Sequence, residues 1–294
     1  MIKLNGIEND LEKRIKAEVK PHMGKPLALS GGVDSSVLAA LLKPKFVISV
    51  ELPGDEKYNE IKWSKKVAKH LGIKHIIVKC DDSLFDKYVC EAVKAIGRPI
   101  PHFNIFPLYV MYKKLEQMGE KELILGDGPD ETMCGYGRDL IIDHLYKIYD
   151  FEALKNYKPI IDKILPSKEE AIRLATNLSD FDDIVSADIA MRTDMDDMSN
   201  GIAKHFGIKN IRPYQDNLKL DKFMRNLPIE EKINGEFGKY ALRKIAAKYL
   251  PKDIAWRLKK VGGPVYPVNI MRGWMEKGEF DKTFWLKYQE KILR

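Results

Sequence analysis

The chain has 294 residues, 32% charged and 45% hydrophobic, which is enough apolar material for one large domain or a core with an appended half. No apolar run approaches the ~20 residues that span a bilayer, and Met1 to Lys20 lacks the apolar stretch of a signal peptide, so a cytoplasmic protein is expected. Fifty Lys+Arg against 43 Asp+Glu leave a formal charge of +7; acids and bases nevertheless interleave, as in Glu230-Glu231-Lys232, which argues for a solvated mixed surface over a nucleic-acid face.

Leu4, Ile7, Leu11 and Ile15 recur at helical spacing and predict a leading helix over 4–20. Pro21 to Pro26 connects it to Leu27-Ala28-Leu29, read as the end of a buried strand. Ser30-Gly31-Gly32-Val33-Asp34-Ser35-Ser36 follows, then a helical run from Val37 to Leu42, halted by Pro44. Phe46 to Leu52 is the largely apolar run expected of a parallel strand covered on both faces. A helix from about Lys57 to His70 stops at Gly72, and His75-Ile76-Ile77-Val78 reads as a third strand. Helices are predicted over 84–96 and from Pro107, a good first-turn residue, to Gly119. Leu123-Ile124-Leu125 makes a fourth strand that runs into Gly126-Asp127-Gly128-Pro129-Asp130-Glu131. From Leu140 onward helical segments dominate, over 167–177, 188–206 and 234–250. Cys80, Cys90 and Cys134 form no CxxC pair and predict free thiols, not a disulfide framework or a zinc site.

Strands alternating with helices predict an α/β fold, a parallel sheet with flanking helices and right-handed crossovers. That core is placed over 1–139, with a mainly helical part over 140–294 closing over the site. Ligands in such sheets bind beyond the carboxyl ends of the strands. The loops 30–36 and 126–131 each follow a strand directly, so they are expected to face one crevice. In the first, Gly31 and Gly32 let an anion approach the main chain, the helix N-terminus adds unpaired N–H groups, and Ser35 and Ser36 add hydroxyls. Asp34 and Asp130 are two carboxylates of the kind that hold Mg²⁺ beside phosphates; capping of the following helices is the other reading of each. The missing Gly-Lys-Ser/Thr ending excludes a Walker A loop.

Three separated stretches together resemble a known family. Ser30–Ser36 resembles the pyrophosphate-binding loop (PP-loop) of ATP pyrophosphatases. Gly126-Asp127-Gly128-Pro129-Asp130-Glu131, with Cys134-Gly135-Tyr136, is similar to the Gly-Glu-Gly-Ser-Asp-Glu…Gly-Gly-Tyr segment of asparagine synthetases. Lys239-Tyr240-Ala241-Leu242-Arg243 through Leu250-Pro251 to Ala255-Trp256-Arg257-Leu258-Lys259 resembles their Lys-x-x-Leu-Arg…Leu-Pro…Ala-Trp-Arg-x-Lys ending. The synthetase domain of that family, shared with β-lactam and carbapenam synthetases, implies an AMP- and pyrophosphate-forming amide ligase with ATP and Mg²⁺ as cofactors. The resemblance implies ATP contacts at Leu29, Ser30, Gly31, Gly32, Asp34, Ser35, Ser36, Val50, Gly126, Asp127 and Gly128, and Mg²⁺ at Asp34 and Asp130. It implies a carboxylate substrate, aspartate or similar, at Glu131 and Arg212, and a catalytic role for Lys259.

Two departures bear on these expectations. Glutamine-using members carry a nucleophilic cysteine as residue 2, whereas Ile2 stands here and the PP-loop begins at Ser30. No glutaminase domain is therefore expected; nitrogen would come as ammonia, as another amine, or from a separate glutaminase subunit, and a homo-oligomer is compatible with the chain. Ile211-Arg212-Pro213-Tyr214-Gln215-Asp216 is similar to the family's Glu-x-Arg-x-Pro-Phe-Leu-Asp. Aligned on Pro213 and Asp216, Lys209 falls at the catalytic glutamate and Arg212 lies one place off. The competing readings are a PP-loop enzyme modifying tRNA or a specialised metabolite, and a nucleotide-binding protein without catalysis.

Overall fold

A computed structural model of the protein describes residues 6–52, 61–100, 102, 104–135, 195–258 and 282–294. The first helix, α1 (Ile7–Val19), precedes β1 (Leu27–Ala28), α2 (Val33–Leu42), β2 (Val47–Glu51), α3 (Ile61–Leu71) and β3 (His75–Lys79). Then come α4 (Phe85–Ile96), α5 (Ile105–Gln117), β4 (Glu122–Ile124) and α6 (Pro129–Thr132). Beyond them lie α7 (195–205), β5 (Lys209–Ile211), α8 (Leu218–Arg225) and α9 (Ile229–Lys232). A hairpin of β6 (Ile233–Asn234) and β7 (Phe237–Gly238) leads to α10 (Tyr240–Tyr249), α11 (Lys252–Ala255) and α12 (Lys282–Leu293).

Five strands form one parallel sheet in the order β3-β2-β1-β4-β5. The chain steps outward from β1 through β2 to β3, then returns to the other side of β1 with β4 and β5. The direction reverses between β1 and β4, which opens a crevice at their carboxyl ends.

Strand residues point alternately to two apolar layers, as the period of two requires. Val47 and Ile124 pack with α1, α2, α8 and α10 through Leu11, Val37, Leu220 and Ile245. Ile48, Leu123 and Leu125 pack with α4, α5, α7 and α12 through Val89, Tyr112, Ile202 and Trp285. The result is a three-layer α/β/α fold, the expected class. All three cysteines are free, and among the described residues no helix is long and apolar enough to cross a membrane.

The structure differs from the sequence reading in four places, the first being that the helical run expected from Val37 begins at Val33. The stretch 209–211, not assigned to a strand, is the fifth one, and it pairs with β4 by Glu122↔Lys209, Leu123↔Asn210 and Ile124↔Ile211. The helix predicted from 234 begins at Tyr240, because Asn234-Gly235 turns the chain into a hairpin with Gly235 at φ 58. Pro107 is the third residue of its helix, not the first; N–H groups of a first turn have no helical partner, so its missing donor costs nothing. The start of the helix from Lys57, the helix over 167–177 and the beginning of that over 188–206 lie outside the described residues.

Candidate active site

The β1 strand delivers the first glycine-serine loop to the crevice. The Leu29 N–H donates to the Ile48 carbonyl at 2.8 Å, and the Leu29 carbonyl accepts from Ser49 Oγ at 2.5 Å. That use of the only hydroxyl hydrogen on Ser49 makes His75 Nε2 the donor in their 2.8 Å contact. Burial, helped by Lys65, lowers the His75 pKa and favours this neutral form. Past Leu29, Gly31 takes φ 78, and a Cβ on it would lie 2.6 Å from the Ser64 backbone nitrogen. Only glycine therefore lets the loop lie this close to α3. Ser30 Oγ accepts from the Gly32 N–H at 3.1 Å and meets Ser35 Oγ at 3.1 Å. Gly32 is the residue before α2, so the unpaired N–H groups of that helix begin at this loop. Ser36 Oγ is buried with no hydrogen-bond partner among the described residues.

The second loop meets the first. A Cβ on Gly126 would stand 3.0 Å from the Ser35 nitrogen, so the tips of β1 and β4 touch at the switch point. The expected convergence of 30–36 and 126–131 is observed. Lys239 joins their two aspartates: its Nζ lies 2.5 Å from Asp34 Oδ2 and 2.8 Å from Asp130 Oδ1. Burial alone would lower the pKa of this lysine; Asp130 and Asp34 outweigh that and hold it above the ordinary value. It enters from the hairpin, with its N–H on the Met133 carbonyl at 2.9 Å.

Beyond β5 the chain ties both loops together. Tyr214, fully buried, donates its hydroxyl to the Asp34 carbonyl at 3.1 Å; burial and Asp34 push its pKa well up, so it stays a donor. Arg212 is 4% exposed. Its Nε faces Asp127 Oδ2 at 3.3 Å and Asp196 Oδ1 at 3.5 Å, and its Nη2 donates to Ser199 at 2.6 Å. Lys209 sits at the amino end of β5, exposed, with its backbone N–H on Lys121. The side that faces the crevice begins after Ile211, so acids there come from Asp127 and Asp196 and not from position 209.

Another guanidinium braces the carboxyl-terminal part. Buried Arg243 donates from Nε to the Gly238 carbonyl at 2.8 Å, and from Nη1 to the carbonyls of Ala255 and Arg257, each at 2.9 Å. Arg257 in turn reaches the Gly31 carbonyl at 3.4 Å and lies over the Trp63 ring, 5.0 Å from its centre.

Of the residues expected at the site, Leu29, Ser30, Gly31, Gly32, Asp34, Ser35 and Ser36 lie on or behind the first loop. Gly126, Asp127, Gly128, Asp130 and buried Glu131 lie on the second. Val50 is half-buried near the carboxyl end of β2, the neighbour of β1. Arg212 is beside Asp127, whereas Lys259 lies outside the described residues. Sequence reasoning missed Lys239, Tyr214 and Arg243 as site-building residues, although all three stand inside stretches it quoted.

The donor chemistry suits Mg²⁺. Two carboxylates share one Nζ, so their oxygens lie on either side of a place a cation already takes. Among the described residues no group of three or more His, Cys, Asp or Glu is gathered to hold a metal. Asp34 and Asp130 would thus supply two hard oxygens and leave the other positions to phosphate and water, as Mg²⁺ sites commonly do.

A parallel α/β domain with two loops converging on an aspartate pair at its switch point is the class that fold and site define. The asparagine synthase family matches residues 24–282, and the chain belongs to that family. It is 27% identical to the glutamine-hydrolyzing asparagine synthetase B of Escherichia coli and 25% identical to a putative glutamine-hydrolyzing asparagine synthetase of Methanocaldococcus jannaschii. An Arabidopsis thaliana asparagine synthetase is 24% identical. Each match covers 86% of this chain but only 44%, 47% and 42% of the respective relative. The chain thus spans less than half the length of these curated relatives.

Proposed function

We propose that this chain is an ATP-dependent carbon–nitrogen ligase that works through an acyl-adenylate. A substrate carboxylate oxygen attacks the α-phosphorus of ATP; the bond from that phosphorus to the bridging oxygen breaks and pyrophosphate leaves. The nitrogen of ammonia or another amine then attacks the acyl carbon, the carbon–oxygen bond to AMP breaks, and the nitrogen loses a proton. The amides of the first loop, with Ser30, Ser35 and Ser36, would cradle the phosphates, while Leu29 and Val50 flank the nucleoside. Asp34 and Asp130 would hold Mg²⁺, which when bound supplies charge neutralisation for the phosphates. Lys239 adds a positive charge beside the departing pyrophosphate. By resemblance, Lys259 contacts the phosphates and stabilises charge during amide formation. Glu131 would face the carboxylate substrate, and Arg212 would hold Asp127 at the rim of its site.

The observation that carries this reading is the bridge of Lys239 between Asp34 and Asp130 at the reversal of the sheet. Relatives named as asparagine synthetases support aspartate, or a carboxylate like it, as the substrate. Nitrogen arrives as ammonia or an amine, free or from a separate glutaminase subunit. The test is exchange of labelled pyrophosphate into ATP across a panel of amino acids and other carboxylic acids. Exchange that depends on one acid, aspartate foremost, is expected. No exchange with any acid, by protein that binds ATP, would remove the adenylating mechanism.

A further inference from the structure

Lys239 is built into its place as firmly as the carboxylates it joins. Its backbone is left-handed, with φ 57 and ψ 38, a conformation unfavourable to any residue bearing a Cβ. Its side chain is 3% exposed. Gly135 leaves the room: a Cβ there would overlap both Asp130 Oδ1 and Lys239 Cε. The ammonium therefore occupies the point between Asp34 Oδ2 and Asp130 Oδ1 where a metal ion joining those two oxygens would sit. Two cations cannot share it, since volume and like-charge repulsion both forbid it. Withdrawal of the ammonium would leave a buried positive charge away from the two carboxylates that hold it.

We propose that Lys239 is a built-in counter-cation that keeps free divalent metal off Asp34 and Asp130, and that nucleotide phosphates draw its ammonium away and open the pair. Nucleotide and metal then bind as one unit, and each strengthens the other by the same factor, as linkage demands. The proposal rests on the reading of this crevice as a magnesium–nucleotide site. It adds the order of assembly: no stable metal complex precedes the nucleotide.

Mn²⁺ alone, followed by electron paramagnetic resonance of the free ion, tests it without any turnover. Wild-type protein and Lys239→Arg, which keep a cation between the aspartates, are expected to retain almost no Mn²⁺ in the absence of nucleotide. Lys239→Gln is expected to bind it at least tenfold more tightly, and Lys239→Gln with Asp34→Asn to lose that gain. Mn²⁺ should also raise the melting temperature of Lys239→Gln and leave that of wild type unchanged. Should Lys239→Gln fail to fold in metal-free buffer, recovery of folded protein on refolding with Mn²⁺ supports the proposal and no recovery overturns it. Binding by Lys239→Gln no tighter than wild type, or tight binding by wild type without nucleotide, also overturns it. Absence of pyrophosphate exchange would strike the ligase reading and leave the Mn²⁺ result standing.

Discussion

Gly135 shows how little slack the site has at the scale of single residues. Its missing Cβ is filled by the Asp130 backbone and carboxylate and by the Lys239 stem, and the Asp130 Cα stands only 2.8 Å from where that Cβ would be. A flexible side chain could move aside; a backbone held by the Gly135 N–H to Asp130 carbonyl bond at 2.9 Å cannot do so cheaply. Gly135→Ala is therefore expected to cost about 1–3 kcal/mol of stability, the usual penalty for overpacking, measured by urea denaturation. By displacing Asp130 from the place where it would hold Mg²⁺, it should also weaken ATP binding in the presence of Mg²⁺ at least tenfold, about 1.4 kcal/mol. Wild-type affinity in a folded Gly135→Ala protein would show that the placing of Asp130 does not matter to nucleotide binding. At this scale the sequence was legible in where the two loops and their side chains would meet. Gly31, Asp34 and Asp130 were readable from their loops, while Lys239 was not, because its partners stand 205 and 109 positions away and only the folded hairpin brings them together.

Elements were legible where the hydrophobic pattern is long and lost where pairing alone defines them. Lys209-Asn210-Ile211 is too short to show alternation, and it is a strand only because β4 offers it an open edge. The hairpin before α10 was announced by Asn234-Gly235, but the helical spacing of Phe237 with Ala241 and Ile245 masked it; the Phe237 ring packs edge-on against Trp256 instead, 5.3 Å away. The last helix, α12, gives a case where one side chain holds a distant segment. Gln289, fully buried, accepts the Ile100 N–H at 2.9 Å and donates to the Ile100 carbonyl at 2.8 Å, doing for that backbone what a neighbouring strand would do. Trp285 Nε1 adds a bond to the His102 carbonyl at 3.1 Å. Gln289→Ala leaves a buried N–H and a buried carbonyl without partners, at roughly 1–3 kcal/mol each. A loss of about 2–6 kcal/mol is expected, seen as a lower urea midpoint with an unchanged slope. Gln289→Glu, which keeps the acceptor but loses the donor and buries a charge, should not restore it; full stability in either variant would mean that α12 does not fix the backbone at Ile100.

Across the whole molecule, the layer that carries Lys239 is fastened to the amino-terminal helix by a run of charges. On α10, Lys244 binds Glu8 at 3.1 Å and Glu231 at 2.8 Å, and Lys248 binds Glu12 at 2.7 Å. Glu12 also takes Lys16 at 2.5 Å and the Tyr249 hydroxyl. It is 7% exposed, and burial alone would raise its pKa. Hydrogen bonds from Lys16, Lys248 and Tyr249 more than reverse that and bring it down to about 2. A carboxyl depressed in the folded state binds its proton more readily once the chain unfolds. Its contribution to stability is therefore complete above the ordinary value of 4.5 and disappears as pH falls toward 2. Wild type should exceed Glu12→Gln by about 1–3 kcal/mol at pH 7, and the gap should close between pH 4.5 and 2. The +7 charge of the chain grows at low pH and weakens both proteins through self-repulsion, so the difference between them, not either curve alone, isolates this group. Added salt should shrink the gap in part, because Lys16 and Lys248 are exposed while Glu12 itself is shielded from water. A gap constant from pH 7 to 2 would mean that Glu12 acts through packing and not through its charge.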